Sequence, residues 1–176
     1  MIRTALPSDA KAIAHVHISS WQAAYRDLMP ADYLHSLSAT LARREAFWSR
    51  SIESGESNVV VAEAGGQVVG WICIGAGRDE DAVVGESGEV MALYVLAEHW
   101  HTGVGLALWE AGVQQLRAQG FQRLTLWVLA GNERAIRFYR RAGGVEEAGS
   151  ERTLERGGVT LLEQRYQLTL APLSEG

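Results

Sequence analysis

Glu98-His-Trp-His-Thr-Gly-Val-Gly-Leu-Ala-Leu-Trp-Glu110 sets two glycines, Gly103 and Gly105, between a strand-like apolar run and a helix-like one. Ser or Asp would start a helix equally well, so the glycines need another reason. Either the chain turns a tight corner there, or its bare backbone must approach something closely. Upstream, residues 89–96 (Glu-Val-Met-Ala-Leu-Tyr-Val-Leu) read as a strand. Downstream, Leu106, Trp109, Val113 and Leu116 recur at alternating three- and four-residue spacing, predicting a helix that ends at Gly120. Arg123 to Leu129 reads as a second strand, and the two strands should run parallel around Tyr94 and Leu126.

Outward from this unit, residues 2–6 suggest a short strand. Pro7, Ser8 and Asp9 then open a helix that carries Ile13, Val16 and Ser20 inward and runs to about Tyr25. A second helical stretch starts at Pro30 and runs through Leu34, Leu37, Leu41, Phe47 and Trp48 to Ile52. Residues 58–64 and 67–76 flank Gly65-Gly66, a strong hairpin signal. The glycine-rich, acidic segment 75–88 suits a loop. Glu133 to Ala142 is helical, stopped by Gly143-Gly144, and two last strands near 145–153 and 159–170 turn through Gly157-Gly158. The expected architecture is α/β: a mixed sheet of about seven strands, mostly antiparallel, flanked by four helices.

The 176-residue length fits a single domain over 1–176. Hydrophobic content of 47% with 21% charged residues is that of an ordinary globular chain. No apolar run is long enough to cross a bilayer, and the first residues lack the apolar core of a secretion signal, so a cytoplasmic location without membrane contact is expected. A net charge of −5 argues against nucleic acid as the main partner and is compatible with cationic substrates. Cys73 is the single cysteine, which excludes an intramolecular disulfide.

Several readings of the glycine loop can be weighed. A dinucleotide fingerprint fails because its third glycine position holds Leu108 and no acid ends the next strand. A P-loop fails because no lysine follows the glycines. A plain corner remains open. So does a pyrophosphate cradle made only of backbone, in which the N–H groups of residues 101–106 converge at a helix start.

The pattern Trp100-His101-Thr102-Gly103-Val104-Gly105 resembles the acyl-CoA motif of the GNAT acetyltransferase superfamily, Gln/Arg-x-x-Gly-x-Gly/Ala after a strand; Trp100 stands where that family has Gln or Arg. A second segment, Asn132-Glu-Arg-Ala135-Ile-Arg-Phe138-Tyr139-Arg-Arg-Ala-Gly143, is similar to the family's Asn-x-x-Ala-x-x-Phe-Tyr-x-x-x-Gly. Both fall in the expected elements and order. The resemblance implies a GNAT fold and an acetyl-CoA-dependent N-acetyltransferase. It assigns the pyrophosphate to the backbone of residues 101–106, with Trp100 at the position of a side-chain contact to the cofactor, and the pantetheine arm to the backbones of Leu93 and Val95, like an added strand. Asn132, Ala135 and Tyr139 would complete the cofactor site.

Glu89 begins an otherwise apolar strand, where alternation sets it on the face of Met91, Leu93 and Val95. Its spacing from Gly103 resembles that of family members using a glutamate base, so it reads either as the general base or as a solvated strand end. Tyr139 shares a helical face with Ala135, Phe138 and Ala142, so it is either the acid toward the leaving thiolate or a core aromatic. Asn132 also suits a helix cap. Trp21, Tyr25 and Tyr33 lie where the family's first helices wall the acceptor, and can hold an ammonium or an apolar group.

Rival chemistries find little support. Cys73 lies among Trp71, Ile72 and Ile74 and reads as a buried thiol, so direct attack by the amine is expected and not an acyl-cysteine. His99 and His101 lack further metal ligands at useful spacing, and no metal is expected. Gly85-Glu-Ser-Gly88 is not a nucleophile elbow. The expected acceptor is a small primary amine: a polyamine, an amino acid or an aminated antibiotic. A non-catalytic acyl-CoA sensor or interaction module is the alternative. By analogy with the family, a homodimer through the final strand is a further expectation.

Overall fold

The computed structural model describes residues 1–172. Its strands are β1 (Ile2–Thr4), β2 (Asn58–Ala64), β3 (Gln67–Ala76), β4 (Ser87–Val95), β5 (Arg123–Leu129), β6 (Val145–Glu146), β7 (Arg152–Arg156) and β8 (Val159–Thr169). Its helices are α1 (Ala10–Ala24), α2 (Ala31–Ser36), α3 (Leu41–Ser54), α4 (Val104–Ala118) and α5 (Glu133–Arg141). The eight strands form one sheet in the order β1-β2-β3-β4-β5-β8-β6, with β7 also paired to β8. Among the described residues no helix is long and apolar enough to cross a membrane.

Local chemistry accounts for most of these elements. Gly65 and Gly66 take φ of +58° and +75°, the two positive values a tight hairpin turn requires. The helical stretch expected from Pro30 to Ile52 is divided into α2 and α3 by a 3-10 turn at Leu37–Thr40. The strand expected at 145–153 is also divided. Ser150 Oγ donates to Glu147 O, and its oxygen accepts from the Arg165 N–H, so the chain bulges between β6 and β7. Both short strands lie against the same edge of β8, whose other edge pairs with β5. The final strand is therefore interior over Glu163–Thr169, and the outer edge on that side of the sheet belongs to β6 and β7.

Two apolar layers cover the sheet. On one face Ile72, Ile74, Val90, Val95, Leu124, Leu126 and Val128 pack against Leu108, Val113 and Leu116 of α4 and Ile136 of α5. The approach is close: a Cβ on Gly112 would stand 2.7 Å from Ile72 Cδ1. On the other face Val59, Val61, Trp71 and Cys73 pack against Ile13, Ala14 and Val16 of α1 and Trp48 of α3. Trp71 is fully buried there, and its indole Nε1 donates to Ile13 O at 3.0 Å.

The feature that positions the site is a fork. β4 and β5 pair in parallel only at Ser87↔Arg123, Gly88↔Leu124 and Glu89↔Thr125, and then part. The strands are thus already separate around Tyr94 and Leu126, where parallel pairing was expected. The fork coincides with a β-bulge: Cys73 pairs with Ala92 and Ile74 with Val90, leaving Met91 without a partner. A bulge bends and twists its strand, turning β4 away from β5. It also resets the alternation. Met91, Ala92 and Tyr94 join the α1/α3 face, while Val90, Leu93 and Val95 join the α4 face. Since a Cβ on Gly88 would meet Leu116 and Phe121 on the α4 side, Glu89 projects to the opposite side. It shares a face with Met91 but not, as strict alternation implied, with Leu93 and Val95.

Candidate active site

A cavity of about 200 Å³ runs through the fork. On the α4/α5 side it is lined by Leu93, Val95, Gly105, Asn132, Ala135, Phe138 and Tyr139, and on the α1/α2 side by Trp21, Tyr25, Glu89, Tyr94 and Trp127. One cavity thus has two chambers joined between parted strands.

The first chamber has an open backbone edge. Leu96 N–H donates to Val69 O at 2.9 Å, and antiparallel alternation then turns Tyr94 and Ala92 toward β3 and Leu93 and Val95 outward. The Val95 carbonyl accepts the Trp100 indole N–H at 2.8 Å. Among the described residues both polar groups of Leu93 and the N–H of Val95 have no partner, which leaves them open to an extended chain. Trp100, which stands in place of a polar residue, therefore braces the strand end.

The glycine loop follows. His101 and Gly103 both take left-handed backbone, at φ +61° and +89°. That conformation explains Gly103, since other residues are strained there. No side chain caps α4. Thr102 Oγ1 donates instead to His99 O at 2.5 Å. The first bond inside α4 is Ala107 N–H to Gly103 O, so the amides of Val104, Gly105 and Leu106 are left for other partners, at the positive end of the helix. Arg134 reaches the same chamber. Its guanidinium lies 3.7 Å over the Trp100 ring, burial lowers its pKa, and no carboxylate pairs with it among the described residues.

Asn132 caps α5, its side-chain oxygen accepting the Ala135 N–H at 3.3 Å. Tyr139 is buried, and desolvation followed by the neighbouring Tyr94 raises its pKa, so it stays a protonated donor at neutral pH. Tyr25 and Tyr94 are likewise raised, chiefly by burial.

Glu89 sits at the apex of the fork and is 1% exposed. Arg78 Nε donates to its Oε2 at 2.5 Å. Trp21 and Tyr25, which line the same cavity, meet edge-to-face at 5.1 Å. Tyr94 stacks on His17 at 4.8 Å, and burial pushes that imidazole down to about 3, so it is neutral. The 77–86 loop that carries Arg78 is tied down by its next residues. Arg165 donates to Asp79 at 3.2 Å and to both oxygens of Asp81 at 2.7 and 2.6 Å, while the Trp127 indole donates to Asp79 at 3.0 Å.

The model of the acetyltransferase (GNAT) family matches residues 18–144, which includes the cavity lining apart from Arg152, Leu154 and Glu163. The chain belongs to the GNAT acetyltransferase family.

As a GNAT protein it is an N-acetyltransferase. It is 35% identical over 163 residues to the uncharacterized N-acetyltransferase YuaI of Bacillus subtilis (strain 168), across 92% of this chain and 88% of that one. The ribosomal-protein-alanine N-acetyltransferase of Brucella melitensis has a similar structure, with a TM-score of 0.75 at 25% identity over 97% of this chain and 99% of that one. YncA from Salmonella typhimurium, solved with its cofactor acetyl-CoA, shares the fold with a TM-score of 0.71 at 22% identity over 100% and 96% of the two chains.

Within this GNAT frame the fork gathers most of the residues expected from sequence. Glu89, Leu93, Val95, Gly105, Asn132, Ala135, Tyr139, Trp21 and Tyr25 line the cavity, with Trp100 through Val104 and Leu106 forming the loop beyond it. Tyr33 is a correction. It packs on the β7–β8 turn, where a Cβ on Gly157 would stand 2.6 Å from Tyr33 Cβ, and it is not among the cavity lining. Cys73 is buried outside the cavity with its thiol pushed up to about 11 by burial, which leaves almost no thiolate at neutral pH. Sequence reasoning missed Arg78, Tyr94, Trp127, Arg134 and Arg152. For Arg134 a signal existed, an arginine inside the Asn132 motif. The others are brought in by tertiary packing.

Proposed function

We propose that this GNAT protein acetylates the primary amine of a small molecule directly from acetyl-CoA. One observation carries the reading: the cavity passes through the sheet at the fork, with a free strand edge on one side and a carboxylate at its apex facing the other. The Leu93 and Val95 edge suits a pantetheine arm. The orphan amides at Val104 to Leu106 suit a pyrophosphate, and Arg134 supplies the cationic side chain that position 100 lacks. When bound, acetyl-CoA supplies the acyl thioester.

The residues of the chain then do three things. Glu89 takes the amine proton at the oxygen Arg78 leaves free. A backbone N–H of the strand edge stabilises charge on the thioester oxygen. Tyr139, as the acid, donates its hydroxyl hydrogen bond to the departing sulfur and steadies the charge there until solvent completes the protonation. A thiol of ordinary acidity, with a pKa of about 8.5, leaves without much help, so proton removal from the amine is the more demanding task.

Direct transfer needs both substrates bound together. Initial rates measured across acetyl-CoA and amine concentrations should give intersecting double-reciprocal lines. Parallel lines, with acetyl-labelled protein isolated in the absence of amine, would replace direct transfer by an acyl-enzyme route.

A further inference from the structure

The chamber on the Glu89 side of the fork has a charge order from mouth to apex. At its mouth stand two arginines, Arg78 with its side chain 61% exposed and Arg152 at 48%. Its two carboxylates lie deeper, Glu89 at 2% and Glu163 at 18%. Each carboxylate already has an arginine on it: Arg78 Nε on Glu89 at 2.5 Å and Arg152 Nε on Glu163 at 2.7 Å. Arg152 also lies flat on Trp127, 3.8 Å above the ring. Asp79, next in sequence to Arg78, is 3.8 Å from Arg152, so both guanidinium groups belong to one rim. Arg165 and the Trp127 indole also engage that aspartate, so little of its charge is left for a ligand.

In Arg78 only Nε is engaged among the described residues, so its two terminal nitrogens form a free fork of the shape that holds a carboxylate in two parallel bonds. A molecule entering with its amine toward Glu89 leaves whatever lies one or two bonds behind the nitrogen beside that fork. A second ammonium, as in a polyamine or an aminated sugar, would face two guanidinium groups there. A carboxylate would complete a four-charge square with the Arg78–Glu89 pair. Trp21, Tyr25, Met29 and Leu154 make up the apolar part of the chamber and offer no charge to a side chain.

We infer that the acceptor is an α-amino acid with an uncharged side chain, bound as a zwitterion across Arg78 and Glu89. The assignment rests on the acetyltransferase reading above and narrows it from amines in general.

The test is release of free CoA thiol at saturating acetyl-CoA. The substrates are the common L-amino acids, the amines made by removing their carboxylates, and spermidine. At least one uncharged amino acid should exceed its decarboxylated amine by about tenfold or more in kcat/KM, well below the discrimination of a fully buried polar site because the Arg78 side chain is largely exposed. Arg78→Gln should cost the acid about tenfold more in KM than the matching amine, any loss common to both reporting the bond from Arg78 to Glu89, with acetyl-CoA affinity retained as evidence of folding. Arg78→Lys should fall between. Spermidine or a plain amine preferred by the wild type, no amino acid acetylated, or an Arg78→Gln loss shared equally by acid and amine would each overturn the assignment. A wild type that turns over simple amines keeps the broader function when the amino-acid assignment fails; a folded protein that neither binds acetyl-CoA nor acetylates any amine removes both.

Discussion

Replacing Gly105 with glutamate is expected to lower affinity for acetyl-CoA by about 100-fold or more while leaving the fold intact. The chain itself makes little demand for glycine here. A Cβ on Gly105 would sit 3.7 Å from Phe138 and 3.9 Å from Val95, ordinary contacts, and its φ is not left-handed. Gly103 differs, because its φ of +89° penalises any other residue. An acid in the first turn of α4 also interacts favourably with the helix dipole, so thermal stability should be kept or slightly raised. What the new side chain occupies is the space beside the free amides of residues 104–106, where its charge repels a pyrophosphate. Gly105→Ala, which adds only a methyl in tolerated contact, should lose far less. Calorimetric titration of the three proteins measures this directly; an unchanged dissociation constant in Gly105→Glu would mean that the loop only turns a corner.

Glu89→Gln carries the second large effect. The variant should bind acetyl-CoA normally and lose about 100-fold in kcat at neutral pH, within the usual range for removing a general base. The reason lies in the acceptor. An aliphatic amine with a pKa of about 10 is almost wholly protonated at neutral pH, and the protonated form cannot attack a carbonyl. The loss should therefore shrink as pH rises toward the pKa of the amine, because solution then supplies the neutral form that Glu89 otherwise generates. A pH–rate series on both proteins reads this out. Full activity in a variant that binds acetyl-CoA normally would exclude Glu89 as the base.

Much of this was legible because the signals are local. Gly65-Gly66 marked its hairpin, β5 follows its apolar run from Arg123 to Leu129, and α4 begins directly after Gly103. The two motifs depend on residue types at short spacing, and they led to the loop, Asn132 and Tyr139. What sequence could not carry was pairing. The bulge at Met91 is a mismatch between β3 and β4, and nothing in the sequence around Met91 marks it. Extending strict alternation through it set Leu93 and Val95 on the face of Glu89, when the reset puts Glu89 on one face and the Leu93 and Val95 side chains on the other. The break between β6 and β7 depends on Arg165, which lies on a different strand. Tyr33 was assigned by its helix and lost to the β7–β8 turn. The rim of Arg78, Trp127 and Arg152 comes from a loop and two strands far apart in the chain.

The central claim is that the parted strands receive acetyl-CoA along the free edge of β4, with its phosphates on the start of α4. Amide hydrogen exchange with and without saturating acetyl-CoA tests this most directly. Protection should rise at the outward-facing amides of Leu93 and Val95 and at residues 104–106, with β1 and β2 unchanged. Exchange unaltered at both the strand edge and the loop, in a folded protein saturated with acetyl-CoA, would contradict it.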